Sequence, residues 1–300
     1  MSTDSTGSEP VLVADSGCEL GEGPLWDARR GRLFWFDIQG SALLSLRHDE
    51  PRAFATLPLP FRASAACLTS DGALLTATER GLWLIDPDSG RITPVEPMAL
   101  GDGFRSNDGK IDPTGAFWWS SMDDDHGRRP GTVYRTRRGQ PSEVMFDGVH
   151  ITNALAFSPD GRRGYVADSL QGRIDQFDLA AGGAVGPRRP FAALDGGDPD
   201  GSATDAEGYV WNAQWGAWRI VRYAPDGRID RVVPMPVAQP SCCAFGGEDL
   251  RTLYITSAKE NLPQADRDAQ PLAGGVFTMR VETPGLALPV FGEGNGGSGK

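Results

Sequence analysis

The chain has 300 residues, 39% of them hydrophobic and 23% charged, and carries a formal net charge of −11. That length and apolar content support a full globular core, and the acidic balance, with no basic cluster, argues against a nucleic-acid partner. No run approaches the roughly 18 apolar residues of a membrane span.

From the N-terminus, "MSTDSTGSEP" is polar and lacks a charged-then-apolar leader pattern. Residues 1–9 read as a disordered tail and the protein as cytoplasmic, with Cys18, Cys67, Cys242 and Cys243 as reduced thiols. The next stretch, "EPVLVADS", has the apolar core of one strand. Six similar units follow, each a turn signal and then a short apolar strand. They are "DARRGRLFWFD" (Asp27), "TSDGALLTAT" (Thr69), "DPTGAFWWSS" (Asp112), "SPDGRRGYVAD" (Ser158), "DAEGYVWNAQ" (Asp205) and "GGEDLRTLYITS" (Gly246). The turn starts are 42, 43, 46, 47 and 41 residues apart. Each unit continues into a second apolar stretch, and at least five into a third. Repetition of this length predicts an all-β fold, a six-bladed β-propeller with four antiparallel strands per blade. The N-terminal strand is expected to close the last blade and pair an otherwise open edge. A single propeller domain is expected over 10–291, followed by a Gly/Ser-rich flexible tail at 292–300.

Five residues before each turn start stand Glu22, Ser64, Asn107, Asn153, Asp200 and Ser241, all polar. If the units are equivalent, these six side chains converge on one level of the central channel. Polar lining of a wet channel accounts for the two serines. It accounts less well for two carboxylates, which repel and raise each other's pKa unless a cation offsets them. Glu, Asp and Asn oxygens are hard ligands suited to Ca²⁺, Mg²⁺ or Mn²⁺, with Zn²⁺ and Fe²⁺ also compatible. The three histidines, His48, His126 and His150, show no ligand spacing. Asn107-Asp108-Gly109 reads as a turn with Lys110 solvated. Trp118, Trp119, Trp211 and Trp218 read as packing residues, and Trp215 as the tryptophan best placed to reach a site. Cys242 and Cys243 read as buried small hydrophobes.

"GEGPLW" (from Gly21), "RSNDGKIDPTG" (from Arg105), "TNALAFSPDG" (from Thr152) and "PDGSATDAEGYVW" (from Pro199) occur in that order. Together they resemble the motifs of the SMP-30/gluconolactonase/regucalcin family, and "CAFGGEDLRTLYITSA" and "PLAGGVF" resemble its bacterial sugar-lactonase members. The resemblance runs from about Pro10 to Val281. It implies a six-bladed propeller with one divalent cation on its axis. It places the metal ligands at Glu22, Asn153 and Asp200, and a second asparagine at Asn107. It makes Arg105 a contact for sugar hydroxyls. It puts a substrate-contacting acid in "SSMDDDHG", best matched by Asp125, with Asp123 and Asp124 as alternatives. Ala154 stands where the family usually has a glycine.

The expected reaction is hydrolysis of a small sugar-acid lactone to the aldonate, by a monomer or weak oligomer. Asp200 would act as general base and Asn107 would orient substrate or oxyanion. A phosphotriesterase-like hydrolase using the same metal and a non-enzymatic calcium-binding propeller are the alternatives.

Overall fold

The structure, a computed structural model, describes residues 9–180 and 183–294. The two expected tails lie outside these residues, apart from Glu9 and Gly292–Gly294. Six four-stranded antiparallel sheets form a ring, as the repeat predicts. Blade 1 holds Gly21–Asp27, Arg32–Asp37, Ala42–Arg47 and Phe54–Pro58. Blade 2 holds Ala63–Leu68, Leu74–Thr78, Gly81–Ile85 and Ile92–Pro97, and blade 3 Phe104–Ile111, Phe117–Asp123, Gly131–Thr136 and Glu143–Val149. Blade 4 holds Thr152–Phe157, Arg163–Asp168, Arg173–Asp178 and Arg189–Ala193; blade 5 holds Asp198–Thr204, Val210–Trp215, Arg219–Tyr223 and Ile229–Pro234. Blade 6 combines Pro240–Gly246, Thr252–Ser257 and Val276–Arg280 with the N-terminal strand Val11–Ala14, whose Val11 lies opposite Thr278. The ring is thus closed by both ends of the chain. Among the described residues no helix is long and apolar enough to cross a membrane.

The turn-start acids fold the hairpins. Asp112 accepts from the backbone N–H of Thr114 (2.8 Å) and Ala116 (3.1 Å) through one oxygen, and from Trp118 Nε1 (2.8 Å) through the other. Asp205 repeats the arrangement with Glu207, Tyr209 and Trp211 Nε1, each at 3.0 Å. These side chains mimic a backbone turn. Both carboxylates are buried, and their ties to the tryptophans leave no polar atom of either motif wanting a partner in the core. Trp118, Trp119 and Trp211 are buried among apolar neighbours from adjoining blades, as packing residues should be.

Each inner strand carries one extra residue at or beside the polar-ring position, so its ladder to the second strand slips there. In blade 3 the slip lies between Ser106 and Gly109 within a continuous strand. The Asn-Asp-Gly sequence is therefore a bulge and not a turn, and Lys110 is a half-buried strand residue. A bulge reverses the parity of the side chains that follow it. Glu22, Asn107, Asn153 and Asp200, with Leu20, Arg105, Ile151 and Asp198 two before them, face one end of the channel, while Leu25, Lys110, Ala156, Ala203 and Ala244, three after the ring, face the other. That second end is an apolar cavity of about 260 Å³ roofed by Leu286–Pro289. The roofing segment is fixed by Gly285 N donating to Leu250 O (2.8 Å), Phe291 N to Leu68 O (2.8 Å) and Gly292 N to Gly115 O (2.9 Å).

Candidate active site

The inner strands of four blades bring their ring residues to one cavity of about 380 Å³, open at the N-terminal ends of those strands. Glu22, Asn107, Asn153 and Asp200 all line it. Ser64 and Ser241 do not: Ser64 Oγ donates to the Asn107 carbonyl (2.5 Å), and Ser241 Oγ to the Gly21 carbonyl (2.5 Å). Each serine staples its inner strand to the next blade.

Asp200 is buried and Glu22 half-buried on the cavity wall. Glu22 accepts the backbone N–H of Gly23 (2.9 Å), and among the described residues neither carboxylate has an arginine or lysine within ion-pair distance. Burial raises the pKa of Glu22, and the nearby charge of Asp108 raises it further. Burial also raises Asp200 well above the usual carboxylate range, reinforced by Glu22 and then Asp108. Asp108 is itself raised by burial, although its oxygens accept from Gly109 N and Leu155 N, each at 2.8 Å. Such a group of buried acids is costly without a counter-charge.

The two asparagines are oriented by a chain of hydrogen bonds. Arg105 Nη1 donates to Asn107 Oδ1 (2.6 Å), and Asn107 Nδ2 donates to Thr152 O (2.9 Å) and Asn153 Oδ1 (3.1 Å). Asn153 Nδ2 donates to Ser169 Oγ (2.9 Å), which donates to Pro199 O (2.7 Å) beside Asp200. With Nδ2 committed to Ser169, the Asn153 amide turns its oxygen toward the cavity. Its second lone pair remains for a cation. Among the described residues no three His, Cys, Asp or Glu side chains form a metal-binding group. The donor set here is two carboxylates and an amide oxygen, hard ligands that fit a divalent cation.

Of the three consecutive acids, Asp124 lines the cavity. Its oxygens take Arg105 Nε (2.8 Å) and Arg62 Nη1 (2.7 Å). Burial opposes its charge, but hydrogen bonds from Arg62 and Arg105 and the charge of both hold its pKa below the usual range. Asp125, the first sequence choice, faces outward and pairs with Arg128 (2.9 Å). Asp123 pairs with Arg129 (2.8 Å). Arg62 and Ser169 belong to none of the positions marked out by the repeat or the motifs. Arg62 had a signal: it and Arg105 both stand two residues before a ring position, as do Leu20, Ile151, Asp198 and Gln239. Alternate residues of an extended chain share a face, and Leu20, Arg105, Ile151 and Asp198 of this second tier line the cavity. Trp215 lines the cavity, whereas Trp218 is exposed. His126, which shows no ligand spacing, also lines it.

The model of the SMP-30/gluconolactonase/LRE-like region matches residues 20–259. The chain belongs to this family. It is 39% identical over 292 residues to the L-arabinolactonase of Azospirillum brasilense, covering 94% of this chain and 95% of the relative. It is 37% identical over 279 residues to a 6-deoxy-6-sulfogluconolactonase of Pseudomonas putida, covering 91% and 94%. Among solved structures it is similar to a calcium-binding protein, regucalcin, from Agrobacterium tumefaciens, with a TM-score of 0.90, 33% identity and coverage of 95% and 97%. The family alignment spans Glu22, Arg105, Asn107, Asp124, Asn153 and Asp200.

Proposed function

We propose that this protein is a metal-dependent sugar lactonase, a hydrolase that opens the ring ester of an aldono-1,4- or 1,5-lactone to the aldonate. Relatives spanning nearly the whole chain are named lactonases, one for L-arabinolactone and one for a sulfonated gluconolactone. The observation that carries the metal dependence is the pair of carboxylates, half-buried Glu22 and buried Asp200, beside Asn153 in one cavity and with no ion-pair partner among the described residues. The calcium-binding regucalcin structure supports the same reading.

Glu22, Asn153 and Asp200 would hold the ion. When bound, a divalent cation supplies Lewis-acid polarisation of the ring carbonyl and charge to offset the oxyanion. Asp200 takes a proton from the attacking water on its carboxylate oxygen, so that the hydroxide adds to the carbonyl carbon. The ring C–O bond then breaks, its oxygen takes the proton back from Asp200 and leaves as the sugar hydroxyl, and the new carboxylic acid ionises to the aldonate. Asn107 fixes the substrate near the carbonyl, its own amide held by Arg105 and Thr152. Arg105 and Asp124, already locked together, present a donor and an acceptor for sugar hydroxyls away from the reacting carbon. Such fixed contacts contribute through orientation.

A panel of sugar lactones assayed on chelator-stripped protein, with metals returned one at a time, tests this. Activity should vanish on stripping, return with at least one divalent ion, and collapse in Asp200→Asn. Circular dichroism should change little, because the ligands occupy only inner-strand ends. Full lactonase activity in metal-free protein would overturn the metal dependence.

A further inference from the structure

The charges around the cavity mouth do not balance, and this bears on which lactones can enter. Five carboxylates line the cavity: Glu22, Asp124, Asp198, Asp200 and Glu260. Arg105 is its sole guanidinium among the described residues. That guanidinium is committed, with Nε on Asp124 and Nη1 on Asn107 Oδ1 and Ser106 O. Arg62, just outside, divides itself between Asp124 and Glu79 (both within 2.8 Å). These two acids and two arginines cancel. A divalent cation would offset Glu22 and Asp200. Asp198 and Glu260 then remain, and neither has an ion-pair partner among the described residues. Glu260 accepts only from an uncharged amide, Gln39 Nε2 (2.6 Å). Lys259, its neighbour in sequence, holds its ammonium beside Gly17 and does not line the cavity. Arg267, on the short helix Gln264–Ala269, is taken by Glu19. His126 is the other basic side chain on the wall. The overall charge of −11 adds to the same sign.

We propose that Asp198 and Glu260 make the mouth a charge filter, which admits neutral sugar lactones, disfavours lactones bearing a sulfonate or carboxylate, and repels the aldonate formed. This rests on the lactonase reading above and narrows its substrate class. Hydrolysis of a neutral lactone creates one anion and one proton, so a field of fixed sign treats substrate and product differently. Apolar walls around the mouth, Leu20, Ile151 and Leu170, concentrate such a field. Asp198 belongs to blade 5 and Glu260 to the loop after the second strand of blade 6, so the two approach the cavity from adjoining blades.

The test compares kcat/KM for a neutral aldonolactone and its 6-sulfonated counterpart, at low and high ionic strength, with wild type and Asp198→Asn/Glu260→Gln. The inhibition constant of the aldonate product is measured alongside. At low salt the neutral lactone should be preferred by about tenfold or more, in the range of electrostatic steering. Added salt should shrink the preference in the wild type, a readout that needs no variant. The double substitution should shrink it too and tighten aldonate inhibition. Equal or faster hydrolysis of the sulfonated lactone would overturn the filter and leave the lactonase reading standing. So would a preference indifferent to salt and to both substitutions, which shape alone would produce. Hydrolysis of neither lactone would overturn the lactonase reading, and the filter with it.

Discussion

Asp123, Asp124 and Asp125 are consecutive and chemically identical, yet each meets different arginines. Asp123 belongs to Arg129, Asp125 to Arg128, and Asp124 to Arg62 and Arg105 together. Asp125 is a surface pair in high dielectric, where such contacts contribute little. Asp124 ties two blades and holds Arg105, which in turn holds Asn107. Asp124→Asn should therefore lower kcat/KM for hydroxyl-rich lactones by about 10–100-fold, the scale of a hydrogen bond to a charged group. It should lower an unsubstituted γ-lactone much less, and Asp125→Asn should lower neither. Steady-state kinetics on both lactones check this, and equal losses in the two variants would remove Asp124 from the site. The ring offset made Glu22, Asn107, Asn153 and Asp200 legible because all four lie at a fixed distance from a turn. No such offset separates three acids at the far end of a strand. Their fates depend on Arg62, Arg128 and Arg129, whose directions follow from tertiary contacts.

At the scale of the strand, the bulge is what the sequence concealed. Strand number and order were readable because Asp27, Asp112 and Asp205 mark their turns with side chains that bond their own backbone. An extra residue inside a strand leaves a weaker mark. Here it is the residue after a proposed ligand: Gly23 has φ +57° and Ala154 has φ +58°. The left-handed region costs an L-residue about 1–2 kcal/mol, and Ala154 bears this with its methyl packed in an apolar cluster of blades 4 and 5. Gly23 has no such room, since a Cβ there would stand 2.2 Å from the Ser64 carbonyl oxygen. Gly23→Ala should destabilise by at least about 2 kcal/mol, combining strain with a clash against backbone. Ala154→Gly should stay within about 1 kcal/mol, relief of strain being offset by lost methyl burial and a freer unfolded chain. Urea midpoints of the two variants decide it, and a Gly23→Ala protein as stable as wild type would show that blade 2 can yield at Ser64.

Over the whole molecule, the site is a product of closure. Glu22 and Asp200 are about 180 residues apart in sequence and meet because the inner strands pack side by side around the ring. The ring stays closed through Val11–Ala14 on Val276–Arg280, in blade 6. Blade 6 lies between blades 5 and 1, which carry Asp200 and Glu22. A chain beginning at residue 16 would leave the outer edge of Val276–Arg280 unpaired, its inner edge still held by Thr252–Ser257, and would uncover Ala14's place in the core cluster shared with Trp26 and Trp35. An open strand edge invites pairing with another chain. Such a protein should unfold several degrees lower than one beginning at Glu9, by the scale relating about 1 kcal/mol to about 2–4 °C in a chain of this size. It should also self-associate in light scattering. The two carboxylates should lose their register at the same time, so its metal-restored lactonase activity should fall even where it remains folded. An unchanged melting temperature and a monodisperse solution would mean that blade 6 stands on three strands, and that the N-terminal strand only covers it.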